Sequence, residues 1–599
     1  MRKALIKKRI FRHLLRYFLP ALFLLPAIVF SQIKKVWALG DGEKIFRDDL
    51  SHPARNGNFT WDGKTIRLTG LYNEVLALQI IVQTGEDSAK GVEVAVSDPV
   101  NRPSGKSIGA NTLKHGPEGT IEVFSEHYLH VEDPTKPNWY YGSPASAPEK
   151  MTGWIPDALI PADAVACRGG FPLSIAGNRN QGFWIDIELP RDQKNFLPGK
   201  YYGTVNVSGE GKEVSKIPLE ITLLPHYLPD EDKATVWVYS GDISSYFPGL
   251  PEQEVVDMLK FEAHRHRITL AGGFPANESA FNENMMQAYK KWLDGTAFTP
   301  ARGYHGNAEG KGEKLFPIGM YGAQVLGQTK SEVRKQANLW VDWFQKNAPD
   351  VKYFWYMTDE PDSARYAWVK ERAEWIHSNP GSGKALPVFT TTAYNPLLAK
   401  DIDIWAGFDG VDLNILPQIR KNGADHWFYN GNRPRYGSVI LEGSAVDLRV
   451  NSWILYKYGI NTQFIWQSTA WDHNGQGPKK HLHQNVFSNP LTFINDRMEF
   501  GNGDGILFYP GRMPYYPDED RGLNRILPSI RLNNIRRGQQ DAAIMWLAEQ
   551  KLGRDKVISL ISKLLPKALS EVSMQDKVPW SEHGDDYDRI RYELLELLK

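Results

Sequence analysis

Hydrophobic and polar residues alternate along the first third of the chain, in short runs separated by glycine, proline and asparagine. The clearest runs of this kind are 75–82, 92–96, 183–189 and 217–221. Because successive side chains of a strand point to opposite faces, the alternation predicts antiparallel strands. We expect a β-sandwich over residues 39–228, ending at a charged, proline-containing segment at 224–232.

After this boundary, short apolar runs alternate with amphipathic helical stretches. The helical stretches are 252–264, 330–345, 364–377 and 445–458. The expected strands are 235–240, 268–272, 315–321, 353–358, 387–393, 411–416, 438–441 and 463–467, with 427–430 and 506–509 competing for strand positions. About eight strand-helix units predict a (β/α)8 TIM-type barrel over 229–570, followed by a C-terminal helical tail at 571–599.

The N-terminal segment has the composition of an export signal. Residues 1–38 contain nine basic residues and no acidic ones, and the apolar run 17–31 follows the first seven positive charges. This run is short for a membrane span, which needs about 20 residues. We expect a signal peptide at 1–38, cleaved after Ser31 or Ala38, and an exported, periplasmic or extracellular protein. The alternative is an uncleaved anchor, which would make this segment the chain's only membrane contact.

Charge and cysteine content limit the possible binding partners and disulfide bonds of the protein. Lys+Arg and Asp+Glu each number 70, so the chain without residues 1–38 carries a net charge of −9. A nucleic-acid partner is therefore not expected, because such binding depends on clustered positive charge. The single cysteine, Cys167, cannot form an intramolecular disulfide.

Candidate chemistry lies at the end of an aromatic strand. Asp359 and Glu360 follow the run 353–358 and precede Pro361, whereas the other two Asp-Glu pairs of the chain stand in charged loops. Barrel enzymes place their reacting groups at the C-terminal ends of the strands. The two carboxylates therefore predict a catalytic pair; the simpler interpretation is a structural ion pair.

Aromatic and amide side chains near other predicted strand ends suit a sugar, because aromatic faces stack on pyranose rings while polar groups bind hydroxyls. The expected substrate-binding residues are Tyr394, Asn414, Trp427, Tyr429, Asn430, Trp466 and Trp471. His473, His481 and His483 form a loose cluster without the spacing of a metal site, and no phosphate-binding loop is present. We expect neither a metal nor another cofactor.

An ordered series of motifs runs through the second half of the chain: Asp359-Glu360-Pro361, Trp427 to Asn430, Arg449 with Trp453, Phe464 to Trp466 followed by Trp471, Gly503 to Gly511, Ser529 to Leu532, and Arg536, Gly538 and Asp541. This series resembles glycoside hydrolase family 123, whose characterised members are β-N-acetylgalactosaminidases, and a wider barrel family around it. Glu74 and Gln79 fit the sandwich that precedes such barrels. Ala542 departs from the tyrosine that the family often has there. On this resemblance Arg449 joins the expected substrate-binding residues.

The resemblance implies a retaining hydrolase in which the 2-acetamido group of the substrate attacks the anomeric carbon. Glu360 would then be the general acid and base, and Asp359 would orient the acetamido N–H. Trp355 and Trp466, if they face the pocket, would raise the pKa of Glu360.

The sequence also admits two alternatives. Glu442 follows the expected strand 438–441 and could be the nucleophile of an enzyme for 2-hydroxy sugars, with Glu360 as acid/base. A protein of another class would bind glycans without cleaving them.

Overall fold

The computed structural model describes residues 32–109, 119–136, 140–272, 274–322, 326–408, 410–472, 482–495 and 497–599. Its N-terminal part contains two β-sheets, and its larger C-terminal part contains a parallel eight-stranded sheet surrounded by helices. The predicted combination of a β region with an α/β region is confirmed.

The N-terminal part, here called the two-sheet domain, contains eleven strands within the described residues. Strands β1 to β11 are Ile33–Gly40, Ile66–Tyr72, Val75–Thr84, Ala89–Val96, Val100–Asn101, Thr120–Val131, Gly153–Pro161, Leu173–Ile175, Asn180–Glu188, Gly199–Gly209 and Lys212–Tyr227. One sheet has the order β1-β3-β9-β6-β7; the other has the order β2-β11-β10-β4-β8, with β5 paired to β10. Both sheets contribute to one hydrophobic cluster, with Ile80 and Ile185 from the first and Val205 and Ile221 from the second.

The first strand begins inside the segment that the sequence assigned to export. Strand β1 pairs antiparallel with β3, and its Trp37 and Ala38 are buried in the core. The fold therefore includes Ile33–Ala38, and the boundary at residue 39 is corrected to residue 33. The alternating pattern of this strand is obscured by Lys34 and Lys35, which the charge analysis grouped with the export signal.

The barrel sheet consists of eight parallel strands in chain order. Strands β12 to β19 are Thr235–Tyr239, Thr269–Ala271, Leu315–Ile318, Lys352–Thr358, Val388–Thr390, Ile404–Gly407, Asp425–Tyr429 and Thr462–Ile465. Strand β19 pairs with β12, which brings the last strand beside the first. Within the described ranges no pairing joins β13 to β14, so the barrel is nearly closed.

Two of the expected barrel strands are wrong. The sixth and seventh strands of the barrel are β17 and β18, and β18 overlaps the competing segment 427–430. The expected strands 411–416 and 438–441 form no strand. Both of these segments contain buried apolar residues, such as Val411 and Ile440, that pack without joining a sheet. A buried apolar loop and a buried strand share the same composition, which explains the error. The segment 506–509 overlaps a hairpin strand outside the barrel.

Helices surround the barrel and continue beyond it. Helices α1 to α10 are Glu252–Arg265, Pro275–Glu278, Glu283–Leu293, Lys330–Asn347, Tyr366–His377, Leu416–Lys421, Asp447–Tyr458, Ile530–Leu552, Arg554–Ile561 and Gly584–Leu598. Two hairpins precede α8, formed by β20 (Leu491–Ile494) with β21 (Phe500–Asn502) and by β22 (Phe508–Pro510) with β23 (Ile526–Pro528). In the part of the chain that the structure describes, no helix combines the length and apolar character needed to cross a bilayer.

A buried network of charges joins the two-sheet domain to helices α7, α8 and α10. Arg449 of α7 is fully buried and lies 2.7 Å from Asp541, 2.9 Å from Asp588 and 3.8 Å from Asp41. Arg537 of α8 also contacts Asp41, at 2.8 Å. Removing one member of such a network would leave a buried charge uncompensated, so these residues fix the packing between the domains.

Candidate active site

A cavity of about 800 Å³ opens at the C-terminal ends of the barrel strands. Side chains at or just after the ends of six strands line it: Tyr239, Tyr321, Asp359, Phe408, Tyr429 and Trp466. This is the size of a small-ligand site and the face where barrel enzymes hold their reacting groups.

Asp359 and Glu360 follow β15 and are held in place by Thr391, which follows β16. The Thr391 hydroxyl accepts a hydrogen bond from the Glu360 backbone N–H at 2.8 Å and donates one to Asp359 Oδ1 at 2.6 Å. Tyr356 Oη donates to the same Oδ1 at 2.7 Å. Within the described residues, Asp359 Oδ2 and the Glu360 carboxyl make no hydrogen bond, so both are available to a bound molecule.

The surroundings of this pair shift its titration. Both residues are exposed at the cavity surface, yet the walls displace much of the water around their carboxyl groups. This desolvation, and then the charge of Asp359, raises the pKa of Glu360 to about 7. Desolvation also raises the pKa of Asp359, against the hydrogen bonds from Thr391 and Tyr356. A carboxylic acid with this pKa is suited to proton transfer near neutral pH.

The backbone is strained around the cavity. Glu360, Tyr321 and Asn430 have φ angles of +38°, +51° and +55°. Asparagine tolerates this left-handed conformation, but for Glu and Tyr it costs free energy. Such strain persists only where surrounding contacts impose it, and it clusters at functional sites.

One wall of the cavity is built around Asp504, in the Gly503-Asp504-Gly505 turn. Trp466 Nε1 donates to Asp504 Oδ1 at 2.8 Å, and Tyr140 Oη donates to Oδ2. Gly505 has a φ of +77°, and a Cβ there would lie 3.1 Å from the Trp466 ring. The glycine therefore allows the turn to approach the indole that faces the cavity.

The structure brings half of the predicted site residues together. Asp359, Glu360, Tyr429, Asn430 and Trp466 all line the cavity. Asn430 also positions Trp466, because its Oδ1 accepts the Trp466 backbone N–H at 2.8 Å.

The other five predicted residues do not line this cavity, and their assignment to substrate binding is corrected. Trp427 is fully buried in the barrel interior, with its ring 5.5 Å from that of Phe389, and Trp471 is buried with its Nε1 bonded to Phe508 O. Tyr394 packs against Trp405 outside the cavity. Asn414 is exposed in the turn before α6, and Arg449 belongs to the interdomain network. Aromatic enrichment thus reflects barrel packing as much as the pocket.

Two further expectations are also corrected. Trp355 is buried on the helix-facing side of β15, so it does not desolvate Glu360. Glu442 follows no barrel strand and does not line the cavity. Its carboxylate is buried and accepts hydrogen bonds from the Thr135 backbone N–H at 2.8 Å and from Asn502 Nδ2 at 2.7 Å. A nucleophile needs access to the anomeric carbon, and this position gives none.

Several residues of the site had no clear signal in the sequence. Thr391 follows β16 and holds the carboxylate pair without lining the cavity, and Asp504 lies in the motif Gly503 to Gly511, but no pattern gave either residue a role. Tyr140 comes from the two-sheet domain, and no local pattern could place it against a barrel. Asn495, Arg497 and Glu499 reach the cavity from the β20–β21 hairpin.

Of the three residues in the histidine cluster, one lies within the described residues. His473 and His481 lie outside the described residues, whereas His483 pairs with Asp472 at 2.6 Å. Among the residues that can be described, no three His, Cys, Asp or Glu side chains are arranged to hold a metal ion.

A nearly closed parallel barrel with a carboxylate pair at its C-terminal face, preceded by a two-sheet domain, is an architecture found among glycoside hydrolases. The structure is similar to a family 123 glycoside hydrolase from Clostridium perfringens, studied for glycolipid glycan hydrolysis. The TM-score is 0.61 at 14% identity, over 94% of this chain and 98% of that one. The predicted resemblance to family 123 is thus confirmed for the fold.

Other solved structures match less closely. A family 39 glycoside hydrolase from the gut symbiont Bacteroides cellulosilyticus has a TM-score of 0.27 at 10% identity, over 68% of this chain and 78% of that one. A GH5 xyloglucanase from Bacteroides ovatus has a TM-score of 0.23 at 10% identity, over 70% and 96%. No protein-family model and no curated protein sequence matches this chain.

Proposed function

We propose that this protein is a retaining glycoside hydrolase that cleaves 2-acetamido sugars, with β-linked N-acetylgalactosamine as the expected residue. The observation that carries the proposal is the Asp359-Glu360 pair, locked by Thr391 at the rim of a cavity of glycan size. The sugar identity comes from the resemblance to family 123. No other partner and no cofactor is required for this reaction.

Glu360 is the general acid and base of the proposed reaction. Its raised pKa keeps a proton available near neutral pH, and its carboxyl group faces the cavity without a competing hydrogen bond among the described residues. It would protonate the leaving glycosidic oxygen and then take a proton from the water that opens the cyclic intermediate.

Asp359 orients the acetamido group in this proposal. Both of its protein donors bind Oδ1, which leaves Oδ2 to accept the acetamido N–H. That hydrogen bond would turn the carbonyl oxygen of the substrate toward the anomeric carbon and stabilise the positive charge that develops on the nitrogen. No protein nucleophile is then needed.

The proposal is tested with aryl β-galactosides that differ only at carbon 2. We expect hydrolysis of the 2-acetamido substrate, little hydrolysis of the 2-hydroxy substrate, and inhibition by a thiazoline that mimics the cyclic intermediate. Comparable rates on both substrates without thiazoline inhibition would contradict substrate assistance. A chain that cleaves no glycoside yet binds glycans would instead be the non-catalytic protein considered above.

Glu442→Gln separates this mechanism from the Glu442 alternative. We expect the folded variant to keep most of its activity, and a 2-fluoro glycoside to form no adduct at this position. Stability should fall by about 1–3 kcal/mol, because a buried acceptor of hydrogen bonds is replaced by a group that also donates. Thermal unfolding measures the loss of stability. Loss of turnover in a fully folded variant would restore Glu442 as the nucleophile.

Activity should fall as the pH rises through about 7. The pKa of Glu360, raised to about 7, sets this limb, because the acid must be protonated to act. Since Asp359 contributes to the shift, the two carboxyl groups titrate as a coupled pair and the profile reports their apparent values. A kcat/KM profile on a substrate with a poor leaving group checks the limb. An undiminished rate at pH 9 would remove Glu360 from this role.

Export remains part of the proposal. Of the two cleavage positions, the one after Ser31 is favoured, because cleavage after Ala38 would remove most of strand β1. The mature chain should therefore begin at Gln32. N-terminal sequencing of exported protein checks this, and Leu39 as first residue, or an intact Met1 in the membrane fraction, would contradict it.

A further inference from the structure

A second large cavity lies on the two-sheet domain, away from the catalytic one. Its volume is about 730 Å³, and it shares no lining residue with the first cavity. Strands β6 and β9, the short 3-10 helix Ala166–Arg168 and the segment 518–521 between β22 and β23 form its walls. The proposed reaction makes no use of this cavity.

Four arginines line this second cavity, and two of them are occupied by neighbouring groups. Arg521 donates to Glu519 Oε2 at 2.6 Å, with its guanidinium 3.7 Å above the Phe487 ring. Arg168 donates to the Asp520 carbonyl at 2.7 Å. These two side chains therefore support the wall.

The other two arginines, Arg47 and Arg179, have little compensation for their charges. The Arg47 guanidinium lies 3.3 Å from the Trp154 ring centre, and among the described residues its one ion pair is with the exposed Asp48, at 3.8 Å. Arg47 Nε is buried and has no hydrogen bond to any residue that the structure describes. Within the described residues, the Arg179 side chain makes no hydrogen bond or ion pair. Arg179 lies near Arg47 in the fold, because the Arg47 carbonyl accepts the backbone N–H of Asn180 at 2.8 Å. Burial, and then the charge of Arg179, lowers the pKa of Arg47 to about 10.

Within the described residues, none of the three acidic residues that line this cavity, Glu126, Asp518 and Glu519, forms an ion pair with Arg47 or Arg179. Glu126 lines the cavity with both carboxyl oxygens buried and, among the described residues, without hydrogen bonds. Burial raises its pKa to about 8, which favours the neutral form of its carboxyl group at pH 7. Glu519 is already paired with Arg521. Two like charges in a partly buried cavity destabilise the fold unless an anion joins them.

We propose that this cavity binds an anionic sugar residue, whose carboxylate or sulfate group lies between Arg47 and Arg179. Guanidinium groups present paired N–H donors that match the oxygens of both kinds of anion. The stacking of Arg47 on Trp154 fixes one of the two guanidinium groups before the anion binds. The proposal rests on the proposed function only in naming a sugar as the carrier of the anion.

Cys167 provides a direct readout, because it is exposed, lines this cavity and is the only cysteine of the chain. We would measure its alkylation by the uncharged reagent iodoacetamide, together with calorimetric binding, in the Glu360→Gln protein. The probes are tetragalacturonate for carboxylates, κ-carrageenan tetrasaccharide for sulfate esters, and neutral galactotetraose. We expect saturable protection of Cys167 by one or both anionic probes and none by galactotetraose. Comparison of the two anionic probes then shows whether the cavity binds carboxylates, sulfate esters or both.

Substitution of the arginines tests the geometry. Arg47→Gln and Arg179→Gln should each weaken binding about tenfold or more, because each removes a charged hydrogen-bond donor. Arg102→Gln is the matched control, since Arg102 is an exposed arginine over the Tyr202 ring on the same domain and outside the cavity. Thermal unfolding confirms that the variants are folded.

Absence of protection by both anionic probes, equal binding of galactotetraose, or unchanged affinity in both arginine variants would each overturn the proposal. None of these readouts requires glycoside hydrolysis. A failure of the catalytic proposal would appear in the aryl glycoside assay and leave this binding result unaffected.

Discussion

Glu360→Gln should lower the rate by on the order of 10²–10⁴ on substrates with poor leaving groups. The amide cannot donate a proton to the glycosidic oxygen, although it keeps the size and position of the side chain. Activated aryl leaving groups need little protonation, so the loss on a dinitrophenyl glycoside should be much smaller.

The pH profile of this variant separates loss of the acid from general damage. The fall in activity through about pH 7 should disappear, because the group responsible for it is absent. Glu371→Gln is a matched control, since Glu371 is exposed on helix α5, pairs with Arg372 and does not line the cavity. Wild-type rates on a natural glycan in Glu360→Gln would contradict the assignment.

Asp359→Asn should reduce kcat by on the order of 10²–10³, the effect expected when an electrostatic contact to the transition state is lost. The asparagine oxygen can still accept hydrogen bonds from Thr391 and Tyr356. Its NH₂ group would then face the acetamido N–H of the substrate, where two donors repel. The substrate would bind, but its carbonyl oxygen would no longer be directed at the anomeric carbon.

Removing the two hydrogen-bond donors to Asp359 one at a time tests how much each contributes to kcat. Tyr356→Phe and Thr391→Val each remove one hydrogen bond to Oδ1 and should lower kcat less than Asp359→Asn does. Asp362→Asn is the control, because Asp362 caps the following 3-10 helix through the Ala364 and Arg365 backbone N–H groups. An Asp359→Asn enzyme with unchanged kcat on the 2-acetamido substrate would exclude the orienting role.

The motifs that carry the family resemblance separate into three groups in the structure. One group, which includes Asp359 and Trp466, lies at the cavity. A second, which includes Arg449 and Asp541, forms the buried network between the two-sheet domain and the helices. A third, which includes Trp427, is buried in packing away from the cavity. A resemblance read along the chain cannot distinguish these groups, because a sequence records the residue but not what its side chain contacts.

Local pattern determined the elements whose signal is internal to one segment. The period-two runs identified strands such as β3 and β9, and the helical periodicity identified α1, α4, α5 and α7. Asp359 and Glu360 could be selected because they end the aromatic strand β15, and the end of a barrel strand is defined locally.

Tertiary structure decided whatever depended on partners distant in sequence. Whether an apolar run such as 438–441 pairs in a sheet or packs as a loop depends on neighbours that no local pattern contains. The sequence allowed Glu442 as a nucleophile, but its carboxylate is buried and hydrogen-bonded to Thr135 and Asn502, which are distant in the chain. The pKa of Glu360 likewise follows from desolvation by cavity walls that come from both domains. Sequence therefore supplied the reactive groups, and only the folded chain determined which of them face a substrate, because access and desolvation are properties of the assembled surroundings.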